Sequence, residues 1–202
     1  MEKKKIYNLV AISLLIAIVA LMSFTPVGYL KIGIVSITFL TLPVIVGSAT
    51  IGVWASTLLG LAFGVTSFIQ CFGMDAFGTA LFSISPFKTA VMCIVPRTLM
   101  GLICGLIYSG LSKTKINENP VHYALTSLSA PLFNTLLFVP MLVALFYKTE
   151  YIQNIANSMH AKSVLAFIVA LVGINGLIEL GVCTVLGTLI LIPLKKALKR
   201  IN

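Results

Sequence analysis

Four polar side chains sit inside long apolar runs of this sequence: Arg97, Asn134, Asn175 and Glu179. Arg97 stands after Pro96 in FKTAVMCIVPRTLMGLICGLIYSGL, Phe87 to Leu111. A stretch of ~20 mostly apolar residues is enough to span a bilayer. An arginine at the centre of such a helix costs roughly 2.5–3.5 kcal/mol on insertion scales, so it faces a partner, a cavity or a ligand rather than lipid. Its planar fork suits the carboxylate or phosphate of an anionic ligand in bidentate geometry. Equally, Glu179 could neutralise it from another helix, and both readings remain open. Asn134 lies one turn after Pro131. Its amide can donate to and accept from a ligand's hydroxyl or amide, or bond to a neighbouring helix. Asn175 and Glu179 are four residues apart, which puts them on one helix face and predicts a polar stripe toward the bundle interior. Thr66, Ser67 and Gln70 cluster near the end of another apolar run and are candidates to line the same pocket.

Catalytic chemistry finds little support. His122 and His160 fall at helix ends, away from any serine or cysteine at bilayer depth. No HExxH, nucleotide-binding P-loop, GxSxG or paired-carboxylate signature is present, so no catalytic residue and no cofactor is expected. Cys71, Cys93, Cys104 and Cys183 are dispersed without CxxC spacing, which implies neither a metal site nor a disulfide framework. Any uphill transport must draw its energy from a partner.

The elements that position these groups follow from composition. The 202 residues are 59% hydrophobic and 9% charged. Soluble domains carry about 25% charged residues, so this chain cannot cover a soluble surface and belongs in a membrane. Its net charge of +9 lies in short tracts beside apolar runs, the pattern of topology signals rather than of nucleic-acid binding. The expected fold is an all-α membrane protein, one transmembrane domain over 1–202. The first helix runs from Ile6 to Phe24 and ends at Thr25 and Pro26. It is read as a membrane helix rather than a signal peptide, since no clear small-residue cleavage site follows it. Gly28 to Thr41 alternates and is rich in β-branched residues, which predicts an extended loop or short hairpin. Leu42 to Phe68 reads as two short helices turning near Gly52, with Gly60 and Gly64 forming a close-packing GxxxG. Gln70 to Pro86 is expected to be a Gly- and Phe-rich loop. Helices follow at Phe87–Leu111, Val121–Phe146 and Ser163–Leu194, with a polar loop from Tyr147 to Lys162. The last helix would be ~48 Å long, so it must be tilted, broken or protruding.

Six helices place both termini on one side. That side collects Lys3, Lys4, Lys5, Lys113, Lys115, Lys195, Lys196, Lys199 and Arg200; the other holds Lys31, Lys88, Lys148 and Lys162. The positive-inside rule then makes both termini cytoplasmic. The three long loops all fall outside, over a six-helix bundle, and suggest a covered pocket that opens outward. Ser13 and Ala17 form a small-xxx-small stripe on the first helix, which can admit a partner helix or pack inside the bundle.

Three stretches carry a family resemblance: TPVGYLKIGIVSITFLTLPVIVGSATIG (Thr25 to Gly52), GLAFGVTSFIQCFGMDAFG (Gly60 to Gly78) and SPFKTAVMCIVPRTLMGLICG (Ser85 to Gly105). In this order the chain resembles a substrate-binding S component of an energy-coupling factor (ECF) transporter, over nearly its whole length. The resemblance implies six helices, cytoplasmic termini, a vitamin pocket beneath outer loops, and a transmembrane coupling subunit with two ATPase subunits as partners. It implies an AxxxA patch on the first helix that contacts the coupling subunit; here Ser13 replaces the first alanine and Ala17 follows. The usual Gly-Pro after the second helix is absent, with Gly52-Val53 in its place. Pantothenate-type and riboflavin-type members are the nearest in character, and the first loop lacks the Asp associated with riboflavin. The resemblance therefore implies a plasma-membrane pantothenate-binding subunit, with Arg97 and Asn134 at polar positions of its fourth and fifth helices; Thr66, Gln70 and Asn175 are the further candidate substrate residues. Alternatives are a riboflavin or other vitamin S component, a stand-alone ion-coupled carrier using Arg97 and Glu179, and a ligand-free assembly factor.

Overall fold

The computed structural model describes residues 2–32, 35–116, 119–161 and 163–201. Helix α1 (Glu2–Ser23) is followed by a 3-10 turn (Pro26–Gly28) and an antiparallel hairpin, β1 (Tyr29–Ile32) and β2 (Val35–Thr38). Tyr29 pairs with Thr38 and Ile32 with Val35, so the alternating stretch after the first helix is the expected hairpin. Helices α2 (Thr41–Thr50) and α3 (Val53–Gln70) come next. Gly52 separates them with φ of 120°, a conformation open to glycine and strained for other residues. The turn inside Leu42–Phe68 is thus where the sequence places it.

Two expected loops contain helices. Within Gln70–Pro86 lies α4 (Ala76–Ile84), and within Tyr147–Lys162 lies α7 (Glu150–Ser158). The first is nucleated by Asp75, whose carboxylate accepts the Gly78 N–H at 2.7 Å as an N-cap. The second buries Ile152 and Ala156, four apart, on one face. Lys162 lies outside the described residues. The remaining helices are α5 (Pro86–Leu111), α6 (Pro120–Phe146) and α8 (Val164–Ile201). Helix α8 runs on past the expected Leu194 and is broken at Gly173, where φ is 34° and ψ −144°.

Five of these helices are long and apolar enough to cross a membrane: Lys5–Ser23, Val53–Gln70, Pro86–Leu111, Pro120–Phe146 and Gly176–Lys199. Thr41–Thr50 and Val164–Gly173 are apolar but shorter. At ten residues, α2 is only ~15 Å long, about half the hydrocarbon thickness. It is an internal element nonetheless, with Val44 and Ile45 fully buried.

Helices α3 and α5 form the tightest crossing. A Cβ on Gly60 would collide with the Arg97 carbonyl, and one on Gly101 with the Ser56 carbonyl. Gly64 faces the Ile94 Cα and Gly105 the Val53 Cα, at 2.8 and 2.7 Å from the position a Cβ would take. Glycines four apart on both helices let the backbones touch, which is how close packing substitutes for hydrophobic force in a membrane. One core cluster surrounds this crossing, with Leu40, Val44, Ile45, Leu59, Met100 and Ala130 among its members. A second gathers at the ends that α4 and α7 cover, around Leu81, Met92, Leu142, Phe146, Ile152 and Phe167.

Candidate ligand-binding site

The crossing fixes Arg97 at the mouth of a gap between the helices. Its carbonyl lies against Gly60 while its side chain points into a cavity of about 730 Å³, within the ~300–1,000 Å³ usual for small-molecule sites. The walls come from the end of α1 (Ser23), the hairpin (Tyr29, Thr38), α3 (Phe63, Ser67, Gln70), the start of α4 (Phe77, Gly78), α5, α6, α7 (Ile155) and α8 on both sides of Gly173.

The guanidinium is held in two ways. Nη1 donates to the Cys93 carbonyl at 3.1 Å and to the Met92 carbonyl at 3.3 Å. The Met92 carbonyl is left free by Pro96, which has no N–H to offer it and interrupts the helix ladder there. The rings of Phe63 and Phe138 lie 5.1 and 4.9 Å from the guanidinium carbon, one from α3 and one from α6. Each such cation–π contact is worth about 0.5–1 kcal/mol, more when desolvated. Nε is buried and has no hydrogen-bond partner.

Glu179 is 8% exposed, and its Oε1 is buried without a hydrogen-bond partner. Arg97 and Glu179 share the cavity but form no ion pair among the described residues. Asn134 is likewise 8% exposed, and its Oδ1 is buried without a partner. Ser67 Oγ completes the set. Beside it the Tyr29 phenol is pushed up from its ordinary value by burial, an effect that the nearby Arg97 charge opposes. Tyr29 therefore meets the cavity as a neutral donor. Buried polar atoms are nearly always hydrogen-bonded, so unpartnered ones mark functional sites or bound molecules. Here Ser67, Arg97, Asn134 and Glu179, which carry such atoms, all line one largely apolar cavity.

The expected residues divide. Arg97, Asn134 and Gln70 line the cavity. Gln70 Nε2 also donates to the Ser23 carbonyl, which ties the end of α3 to the end of α1. Thr66 does not line it: its hydroxyl accepts from Ser23 Oγ at 2.8 Å and donates to the Phe63 carbonyl at 3.0 Å, so it braces the wall from behind. Asn175 lies in α8, and its side chain is outside the described residues. Ser13 and Ala17 are both exposed on α1, on a face the bundle leaves uncovered. Sequence reasoning missed Tyr29, Phe63 and Phe138. Nothing distinguishes these aromatics from others in the chain until the fold brings them to Arg97. It also treated Cys71 and Cys93 as unrelated, whereas their sulfurs lie 3.8 Å apart in the cavity wall.

A search of curated proteins finds no match to the chain. A family model does match: that of the ECF transporter, substrate-specific component, over residues 7–191. Members of this family are substrate-binding subunits of importers, not enzymes, and associate in the membrane with an energy-coupling module of a transmembrane subunit and ATPases. Apolar helices around a largely apolar cavity that holds a few polar groups, a multi-pass membrane architecture and a match over nearly the whole length lead to one assignment: the chain belongs to the ECF transporter substrate-specific components.

Proposed function

We propose that this subunit binds pantothenate with high affinity and delivers it through partner ATPases. The observation that carries the reading is the set of unpartnered polar atoms around the cavity. Pantothenate offers a carboxylate, an amide and hydroxyls. The carboxylate suits the Arg97 guanidinium, the amide suits Asn134, and the hydroxyls suit Ser67, Tyr29 and Glu179. Phe63 and Phe138 keep water from the guanidinium and strengthen its attraction for an anion. Protein purified without added vitamin should release pantothenate, identified by mass spectrometry. Release of riboflavin or another vitamin in its place overturns the assignment.

The same proposal takes the chain as one transmembrane domain of six passages with cytoplasmic ends. Gln70 and Thr66 bind Ser23, so α1 and α3 finish on the same side. The hairpin and α2 must then bring the chain back across between them. The nine basic residues that gather with the termini favour the cytoplasm. On this topology the hairpin, α4 and α7 cover an outward-facing site. A reporter inserted near Lys115 should be cytoplasmic, like one fused after the last residue; an external signal at Lys115 removes the six-passage topology.

A further inference from the structure

Beside the polar groups that suit a nutrient, the cavity wall holds a pair of neighbouring thiols. Cys71 caps the end of α3 and Cys93 lies in the first half of α5, with Sγ–Sγ of 3.8 Å. Both are buried, 4% and 3% exposed, and both line the cavity, so a small reagent meets them from inside it. Their surroundings hold the pair in place. The Cys71 thiol donates to the Ser67 carbonyl at 3.3 Å, and Arg97 holds the Cys93 carbonyl. A Cβ at Gly78 would come within 2.6 Å of Cys71 Sγ, so glycine there leaves the sulfur its space. The other two cysteines are placed differently. Cys104 lies against Ser48 and the Thr126 carbonyl, and Cys183 against the Thr38 carbonyl.

We propose that Cys71 and Cys93 are a dithiol modification site, which a hydroperoxide entering the cavity converts to a disulfide. One sulfur, as thiolate, attacks a peroxide oxygen; the O–O bond breaks, and a sulfenic acid and water result. The second sulfur attacks the sulfenic sulfur, forms the S–S bond and expels the hydroxyl as a second water. With hydrogen peroxide, two thiols and one peroxide give one disulfide and two waters, and the peroxide takes up both electrons. The sulfurs must close from 3.8 Å to about 2.05 Å. The new bond fixes the end of α3 to α5 one helical turn before Arg97, stiffening the wall next to the guanidinium.

The test uses the full-length reduced protein treated with hydrogen peroxide, digested without reductant and mapped by mass spectrometry. The expected product is a Cys71–Cys93 linked peptide pair, two hydrogens lighter than the free peptides. In Cys93→Ser the linked pair should vanish and Cys71 should be trapped by dimedone as a sulfenic acid. Phenylarsine oxide, which needs two neighbouring thiols, should bind the untreated protein once and Cys93→Ser not at all. Recovery of Cys71 and Cys93 unlinked after peroxide, or of either one joined to Cys104 or Cys183, overturns the proposal. The result on the unmodified chain decides the matter even if the serine variant fails to fold.

Discussion

Helices α3 and α5 behave differently along their length. Around Gly60 and Gly101 their backbones touch, with Ser56 and Arg97 carbonyls where a Cβ would go. A few residues further on, around Ser67 and Cys93, the same two helices border a cavity of about 730 Å³. The closed part leaves no room for a side chain; the open part gathers residues whose buried polar atoms have no partner. Arg97 belongs to both, its backbone in the crossing and its side chain in the cavity. The rigid contact is therefore what aims the guanidinium, and the phenylalanines on either side hold it there.

The comparison breaks most completely if the crossing is forced apart. Gly101→Val pushes a branched side chain into the Ser56 backbone and should lower stability by about 3 kcal/mol, the upper part of the usual overpacking range. Thermal unfolding in detergent would register it, with ligand binding lost along with the fold. Substitutions on the open side should act on binding instead. Arg97→Gln should weaken pantothenate binding by roughly 2–5 kcal/mol if a ligand carboxylate is left unpaired, and Arg97→Lys should recover only part. The ligand-free Gln variant should stay folded, losing little beyond its two ring contacts, ~1–2 kcal/mol together. A larger drop in thermal stability that Glu179→Gln restores would instead make Arg97 and Glu179 a structural pair. Unchanged affinity by calorimetry would remove Arg97 from the site. The smallest effect on binding is expected on α1. Ala17 is exposed, so Ala17→Trp should change pantothenate affinity by less than about 0.5 kcal/mol while blocking co-purification with the coupling subunit. Loss of folding would place that stripe inside the bundle.

How much of this was legible depended on the range of the interaction. Helix ends marked by Pro26, Pro86 and Pro120, and the turn at Gly52, follow from backbone restrictions that each residue carries with it. The charge bias and the polar positions Arg97 and Asn134 stood out because a membrane helix makes each of them costly. The short helices α4 and α7 were hidden by the glycines, aromatics and polar residues around them. Yet Asp75 three residues before Gly78, and Ile152 four before Ala156, were local signals of a cap and an apolar face. The placing of Thr66 behind the wall has another cause: a hydroxyl next to a pocket can turn toward it or behind it, and only Ser23, 43 residues away, decides. Phe63 and Phe138 meet Arg97 through tertiary packing alone, as do the two cysteines 22 residues apart.

The break at Gly173 separates two tasks within α8. Gly176–Lys199 is by itself apolar and long enough to cross, so the insertion machinery can commit this helix without reading the residues before it. Leu171 and Val172, just before the break, belong to the cavity wall, and Gly176 and Glu179 follow just after it. Val164–Gly173 is too short to cross by itself, and its Phe167 is fully buried in the second core cluster, so this segment answers to packing and to the cavity rather than to spanning.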